Sequence, residues 1–469
     1  MEAFHNIVKA INGYMGDYVL LILLIGTGLL FTIRTRFVQV RCFGEGMKRV
    51  FGNFSMKGGK QKSGMSSFQA LATAIAAQVG TGNIVGASGA ILVGGPGAIF
   101  WMWIIAFLGM ATIYGEAVLA QETKFVDPDG NVQGGPVYYI KKAFKGKLGS
   151  FLAGFFAVAI ILSLGCMGAM VQSNSIGSTF STALGIPSWV IGIVIAAVSA
   201  FVFIGGVKRI ASVAEKLVPI MAILYLLGGL VLLICRITDV PAAVGMIFKY
   251  AFAPQALAGG AFGATIAKAI SQGAKRGLFS NEAGMGSTPH AHAQANVANP
   301  HEQGVVAMIG VFIDTFVVLT MTALIVITSL YTDGGVLANG PVDTVNKTNM
   351  VQLSFASLFG DSIGNLFVAI CLLFFAFSTI ISWNLFGKIN VTYLFGRKGE
   401  IVYSVIAVLC VFAGTILDND LVWDVQDTLN QLMVIPNALA LIALSGMVVA
   451  CCNKYAGKKS ADKNIEKKD

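Results

Sequence analysis

Apolar residues recur along this chain in eleven runs, each near the ~20 residues a spanning helix needs, with polar loops between them. The runs lie near 17–33, 68–93, 97–120, 150–178, 188–206, 215–235, 256–278, 303–330, 351–384, 400–417 and 424–451. They predict an all-α membrane protein of about eleven transmembrane helices, forming one multipass domain over 1–469. Two of the runs break in their own interior. In ALATAIAAQVGTGNIVGASGAIL (70–92), Gly80-Thr81-Gly82-Asn83 sits near the centre. Glycine is poor in a helix interior, and backbone unwound at membrane depth is tolerated only where it is buried in protein or lines a polar cavity. The break therefore predicts a binding site near the midplane.

The seventh run, ALAGGAFGATIAKAISQGAKRGLFSNEAG, is also interrupted, first at Ser271-Gln272-Gly273 and then at Lys275-Arg276-Gly277. Five spans follow from the first break segment (68–236) and five from the second (256–451), with 17–33 left over as an extra N-terminal helix. Five is odd, so the second set must cross in the opposite direction. Inverted repeats that each begin with a broken helix are a common secondary-transporter architecture. Residues 238–254 read as a short external amphipathic helix, and 453–469 as a polar cytoplasmic tail.

Composition agrees with this pattern: 56% of residues are hydrophobic and 12% charged, against about 25% charged in soluble proteins. The 55 glycines among 469 residues suit close helix packing and helix breaks in lipid. The net charge of +9 does not indicate nucleic acid, because the charges fall in the loops. About 26 of the 32 Lys and Arg lie on one side if the N-terminus is outside. The positive-inside rule then sets the N-terminus out and the C-terminus in the cytoplasm. The first residues, MEAFHNIVKAINGYMGDY, lack the basic start and cleavage-like site of a signal peptide. The seven Cys are odd in number and show no metal spacing, so they read as small buried hydrophobes. The four His show no zinc pattern either.

The breaks carry chemistry. With the second span running outward, its outer half begins with free N–H groups at about Thr81 to Ile84, a partially positive end that favours an anion. The inner half ends near Val79 and offers carbonyls. The first half of the seventh span would end near Ile270, also offering carbonyls. Poles of both signs suit a zwitterion together with a cation. Ser378 and Thr379, in LLFFAFSTIISW, are hard-oxygen ligands for such a cation, or else hydroxyls bonded back to their own helix. Glu116, Asp314, Lys268, Lys275 and Arg276 fall within or near spans, where charge is costly and is usually paired or functional. Glu116 and Arg276 read as a gate or an ion pair at the cytoplasmic interface. Asp314 reads as the partner of Arg276 or Lys268, or alternatively as a proton site.

AIAAQVGTGNIVGASGA, GGPGAIFWMW, GGPVYYI, KRGLFSNEAGMGSTPHAHA and FAFSTIISWNLFG resemble the alanine/glycine:cation symporter family of prokaryotes, over about Tyr18 to Cys451. The resemblance implies the five-plus-five inverted fold of the bacterial leucine transporter and a place in the prokaryotic cell membrane. It implies uptake of alanine or glycine with Na⁺, or sometimes H⁺, by alternating access, with no organic cofactor and no obligatory protein partner. Because VGTGN is similar to the VGLGN break of leucine-type transporters, the Thr81 and Gly82 amides would hold a substrate carboxylate, with Asn83 stabilising the break. The carbonyls of Ala76, Val79 and Phe375 and the hydroxyls of Ser378 and Thr379 would hold Na⁺. Gln172 would be a polar substrate contact, and Ser271, Gln272 and Gly273 would line the other break. A channel would call for pore loops or charged rings, and an enzyme for a nucleophile–base pairing; neither is evident in the sequence.

Overall fold

A computed structural model describes residues 2–52, 64–128, 130–252 and 266–456. The molecule is built almost wholly of helices. The first, α1 (His5–Arg34), is longer than its apolar run because its polar N-terminal turns continue the same helix. One helical turn, Val38–Arg41, leads to α2 (Phe43–Gly52). The first broken helix is α3 (Ser67–Gln78) followed by α4 (Gly82–Gly94), bent by 45°. Next come α5 (Ala98–Thr123), α6 (Pro136–Ala143), α7 (Gly146–Leu184), α8 (Ser188–Ile204), α9 (Gly206–Cys235) and α10 (Val240–Phe252), the short helix expected over 238–254.

The second broken helix is α11 (Ile266–Asn281) followed by α12 (Pro289–Gln294). Then follow α13 (Pro300–Leu330), α14 (Met350–Phe359), α15 (Asp361–Phe395), α16 (Gly399–Gly414), α17 (Asn419–Ala443) and α18 (Ser445–Tyr455). Among the described residues, six helices are long and apolar enough to span a membrane, and two bent pairs qualify together.

Three predicted spans divide differently from the apolar runs. The ninth, 351–384, is split at Gly360 (φ 78°), where a left-handed turn ends α14 and α15 begins. The eleventh, 424–451, bends by 58° between α17 and α18. The seventh starts partly outside the described residues (256–265), and α11 runs unbroken through Ser271, Gln272 and Gly273 to Asn281. The real interruption covers 282–288. It is marked by left-handed Glu282 (φ 58°), Gly284 (φ 88°) and Gly286 (φ 80°). Residues 457–469 of the expected tail also lie outside the described residues, and α18 continues to Tyr455.

The two broken helices run in opposite directions. Met65–Ser66, just before α3, pairs in parallel with Ala295–Asn296, just after α12. At the other end of α3 the two breaks meet: Gln78 Nε2 donates to the Asn281 carbonyl at 2.7 Å. From that pair of strands, α3 leads towards the breaks while α12 returns from them.

Local chemistry starts α3 cleanly. Ser66 Oγ accepts the Gln69 amide at 3.1 Å and Gln69 Oε1 accepts the Ser66 amide at 3.2 Å, a reciprocal cap. Among the described residues wide π turns occur in four of the helices, at Met15–Val19, Gly82–Gly86, Ile161–Gly168 and Phe312–Leu319. Such turns occur often at functional sites. Here two of them hold Asn83 and Asp314, and a third ends four residues before Gln172.

Candidate functional site

Helix α3 stops at Val79, whose φ of −81° and ψ of 88° turn its carbonyl out of the helix. Asn83 closes the turn that follows: its Oδ1 accepts the Gly80 amide at 3.0 Å, and its own amide donates to the Gly80 carbonyl at 3.3 Å. The Thr81 amide donates to Gln172 Oε1 at 3.1 Å. Thr81 Oγ1 and Gln172 Nε2 are buried with no hydrogen-bond partner among the described residues. The turn is packed to contact. A methyl group on Gly80 would lie 2.3 Å from Thr379 Oγ1, and one on Gly82 would lie 3.0 Å from Ser280 Cα. Glycine is needed at Gly80 for that close approach, not for a left-handed φ.

One turn back from Gly80, the carbonyl of Ala76 receives Thr379 Oγ1 at 2.9 Å and Ser378 Oγ at 3.3 Å. The same hydroxyls also bond back to the Phe375 carbonyl of their own helix, at 3.1 and 2.8 Å. The back-bonding to their own helix is thus present, and the same hydroxyls also reach across to α3. The structure assembles two hydroxyls and two carbonyls from α3 and α15 in one buried place, with the Val79 carbonyl one turn away. Those are hard oxygen donors without a carboxylate among them, a set that suits a monovalent cation.

Asp314 is not an ion-pair partner of Arg276. It is fully buried, and its carboxylate accepts from Asn83 Nδ2 at 2.6 Å, Ser280 Oγ at 2.9 Å and Thr315 Oγ1 at 2.9 Å. Those donors come from the first broken helix, the second broken helix and α13 itself. Arg276 instead makes a two-pronged pair with Asp427 of α17, at 3.1 and 2.7 Å. Its guanidinium stands over the Trp423 ring, 4.8 Å from the centroid. Trp423 packs on Phe279 (4.8 Å between centroids), which packs edge-on against Trp383 (5.7 Å). The pair and the three rings form a layered cover beside the first break. Lys347 also lies against Trp423, at 5.3 Å. With Asp420, Asn174 and Asn419 it lines a cavity of about 670 Å³.

The second break is organised by Glu116, which is fully buried within the protein. Its two oxygens accept the amides of Gly284 and Gly286, each at 3.0 Å. Asn437 donates to Glu116 Oε1 at 2.7 Å and to the Gly284 carbonyl at 2.9 Å. Glu282, inside the break, accepts from Trp383 Nε1 at 2.5 Å and from Ser287 Oγ.

The residues expected to line this break lie elsewhere. Ser271 donates to Asp17 of α1, and Lys275 Nζ is 2.8 Å from the same carboxylate. Gln272 packs its Cβ beside Gly94 at the end of α4. Gly273 lets α11 close on α5, since a methyl there would lie 2.6 Å from Trp101 Cβ. The interruption begins only at Glu282, after α11 has run on to Asn281. Glu282, Asp427, Asn437, Phe279, Trp383 and Trp423 were not foreseen. One signal was present, because Gly284-Met285-Gly286 repeats the Gly-x-Gly spacing of Gly80-Thr81-Gly82 in a second apolar setting.

The sequence matches the Sodium:alanine symporter family over residues 1–469. It is 40% identical over 448 residues to "Sodium/alanine symporter AgcS" of Methanococcus maripaludis, covering 95% of this chain and 96% of that one. It is 38% identical over 466 residues to "Probable sodium/glutamine symporter GlnT" of Bacillus subtilis, covering 99% and 93%. Among solved structures, that of MhsT in complex with L-phenylalanine superposes with a TM-score of 0.61 at 14% identity, covering 85% of this chain and 94% of the other. At that identity the likeness speaks for the fold, which is the leucine-transporter arrangement.

Proposed function

The chain belongs to the sodium:alanine symporter family, and from that premise we propose that it carries glycine or alanine into the cell together with Na⁺ by alternating access. It is a multipass membrane transporter of bacterial or archaeal type, coupled to sodium and acting on an amino acid, and it is not an enzyme. The observation that carries the finer reading is the pairing of donors and acceptors across one turn of broken helix. The Thr81 and Gly82 amides offer N–H groups to a carboxylate. Ala76, Val79, Phe375, Ser378 and Thr379 offer oxygens to Na⁺. Asn83 holds the turn, and Gln172 moves from the Thr81 amide to the substrate.

The crowding supports a small substrate. Gly80 is walled by Thr379 and Gln172, and a methyl on Gly168 of α7 would lie 2.5 Å from the Trp383 ring. The relative named for glutamine makes a larger amide side chain the competing substrate.

With the N-terminus outside and the C-terminus in the cytoplasm, α11 enters from outside and carries Arg276 ahead of the break at 282–288, so Arg276 and Asp427 form an outer gate and not the cytoplasmic one expected for Arg276 from the sequence. Glu116 and Asn437 brace the second break on the inner side. The two broken helices move against the remaining helices to expose the site to each side in turn. An inward Na⁺ gains about 2.3 kcal/mol through ~100 mV, and about 1.4 kcal/mol more from a tenfold gradient. Those two contributions together sustain roughly several-hundred-fold accumulation of a neutral zwitterion.

The test is uptake into proteoliposomes of glycine, L-alanine, D-alanine and L-glutamine, with a Na⁺ gradient or a pH gradient imposed separately. Na⁺-driven uptake of glycine or an alanine isomer is expected. Uptake driven by the pH gradient alone, or glutamine transported in preference to the small substrates, would replace this reading.

A further inference from the structure

Far along α13 from Asp314, a second cluster of chemistry-bearing side chains lies outside the transport site. Cys42 precedes α2, Glu45 is in its first turn, and His301 is in the first turn of α13. The Cys42 Sγ, a Glu45 carboxylate oxygen and a His301 ring nitrogen lie within 4.8 Å of one another. His301 Nε2 and Glu45 Oε2 are already 3.3 Å apart. Around a four-coordinate zinc with bonds of 2.0–2.3 Å, neighbouring ligand atoms are separated by about 3.3–3.8 Å. The imidazole–carboxylate edge fits as it stands, and the thiol needs a movement of at most about 1 Å.

The surroundings are built around these groups. Tyr114 OH is 2.8 Å from His301 Nδ1. A donor–acceptor contact of this kind fixes the ring and leaves the other nitrogen to face a metal. Arg49 Nε holds the second oxygen of Glu45 at 3.1 Å. Helix α2 is pressed onto α13, since a methyl on Gly46 would lie 2.7 Å from the Val305 carbonyl and from Ile309 Cγ1. Phe43 meets Phe312 edge-on at 4.9 Å. The ligands therefore sit on a fixed frame, with His301 and Cys42 buried and Glu45 a quarter exposed.

We propose that Cys42, Glu45 and His301 form a binding site for a zinc-class transition-metal ion, with water in the fourth position. Thiolate and imidazole select such an ion over Na⁺, Mg²⁺ or Ca²⁺. Three protein ligands with one open position is an arrangement zinc adopts. The ion cross-links α2 to the first turn of α13. The pattern is invisible as a sequence motif, because 255 residues separate Glu45 from His301.

The experiment is titration of the purified, metal-stripped full-length protein with Co²⁺, read as the visible d–d bands and the thiolate-to-cobalt charge-transfer band. The expected result is one equivalent of Co²⁺ with a charge-transfer band, displaced by Zn²⁺ and lost in Cys42→Ser. Cys452→Ser should keep the band, although Cys452 also neighbours this region through Arg41. Zn²⁺ should raise the apparent melting temperature of the parent but not of Cys42→Ser, as a ligand of the folded state does. No charge-transfer band in the parent, or a band that survives Cys42→Ser, overturns the proposal. If Cys42→Ser does not yield a monodisperse protein, His301→Asn replaces it, and the same loss of the band is required.

Discussion

Gln172 Oε1 accepts the Thr81 amide at 3.1 Å, so the donor proposed for the substrate carboxylate already has a partner. The neighbouring Gln172 Nε2 is buried with none among the described residues. An incoming carboxylate can take over the Thr81 amide and accept from Nε2 in the same movement, and the side chain then serves the free and loaded sites alike. Gln172→Leu keeps the volume but removes both groups. A lost buried hydrogen bond costs about 1–3 kcal/mol, so KM for alanine should rise roughly five- to hundred-fold. The Na⁺ concentration for half-maximal uptake should move much less. A substitution that leaves KM unchanged would remove Gln172 from the substrate site.

Thr379 and Ser378 test the ion half of the site separately. Thr379→Val preserves the shape of the side chain and deletes the oxygen that reaches the Ala76 carbonyl at 2.9 Å. At about 1–3 kcal/mol for a buried polar contact, half-maximal uptake should need several-fold to a hundred-fold more Na⁺. KM for alanine measured at saturating Na⁺ should change little. Na⁺ titration of initial uptake rates reads both quantities, and an unchanged Na⁺ requirement would take Thr379 out of the ion site.

The two halves of this site were unequally legible in sequence. The first break carries its signal locally, as Gly80, Gly82 and Asn83 stand together in an apolar run, and the structure places the turn there. The second break was set about ten residues early. Lys275, Arg276 and Gly277 look like an end to a membrane helix, yet α11 carries them through, because Asp427 and Asp17 receive the two charges. Partners from α17 and α1 are tertiary facts that no local window contains. Glu116 was visible as a costly buried carboxylate. Its role was not, since its partners are backbone amides 168 and 170 residues away.

Arg276 and Asp427 should behave as a coupled pair, and Arg276 and Asp314 should not. Both members of the first pair are largely buried, with side-chain exposures of 14% and 5%. Removing one partner strands a charge, at about 3–5 kcal/mol for a fully buried pair. Arg276→Gln or Asp427→Asn alone should lower the melting temperature in detergent, and the double substitution should recover part of the loss. The cycle with Asp314→Asn should be additive to within about 0.5 kcal/mol, as for sites without shared partners. Strong coupling in that second cycle would restore the ion pair that the sequence suggested.

Asp314→Asn is the sharpest test of how the two broken helices are joined. The carboxylate can only accept, and it meets three donors: Asn83 Nδ2, Ser280 Oγ and Thr315 Oγ1. An asparagine of the same shape must point an NH₂ at one of them. The hydroxyls can rotate to accept, but Asn83 Nδ2 cannot, because its Oδ1 is held by the Gly80 amide at 3.0 Å. The new residue therefore keeps its oxygen on Asn83 Nδ2 and turns its NH₂ to the two hydroxyls, so the link between the Gly80–Asn83 turn and α13 survives as a neutral bond, weaker than one to a carboxylate. At about 1 kcal/mol for exchanging a charged acceptor for a neutral one, the melting temperature should fall by a few degrees, and Na⁺-driven uptake should drop several-fold. Asp314→Ala, which strips the side-chain acceptor from all three donors and leaves Asn83 Nδ2 only the backbone carbonyl of residue 314 at 3.2 Å, should be worse than Asn in both respects. If Asn matched the parent in stability and uptake, the carboxylate would not be what holds the two breaks together.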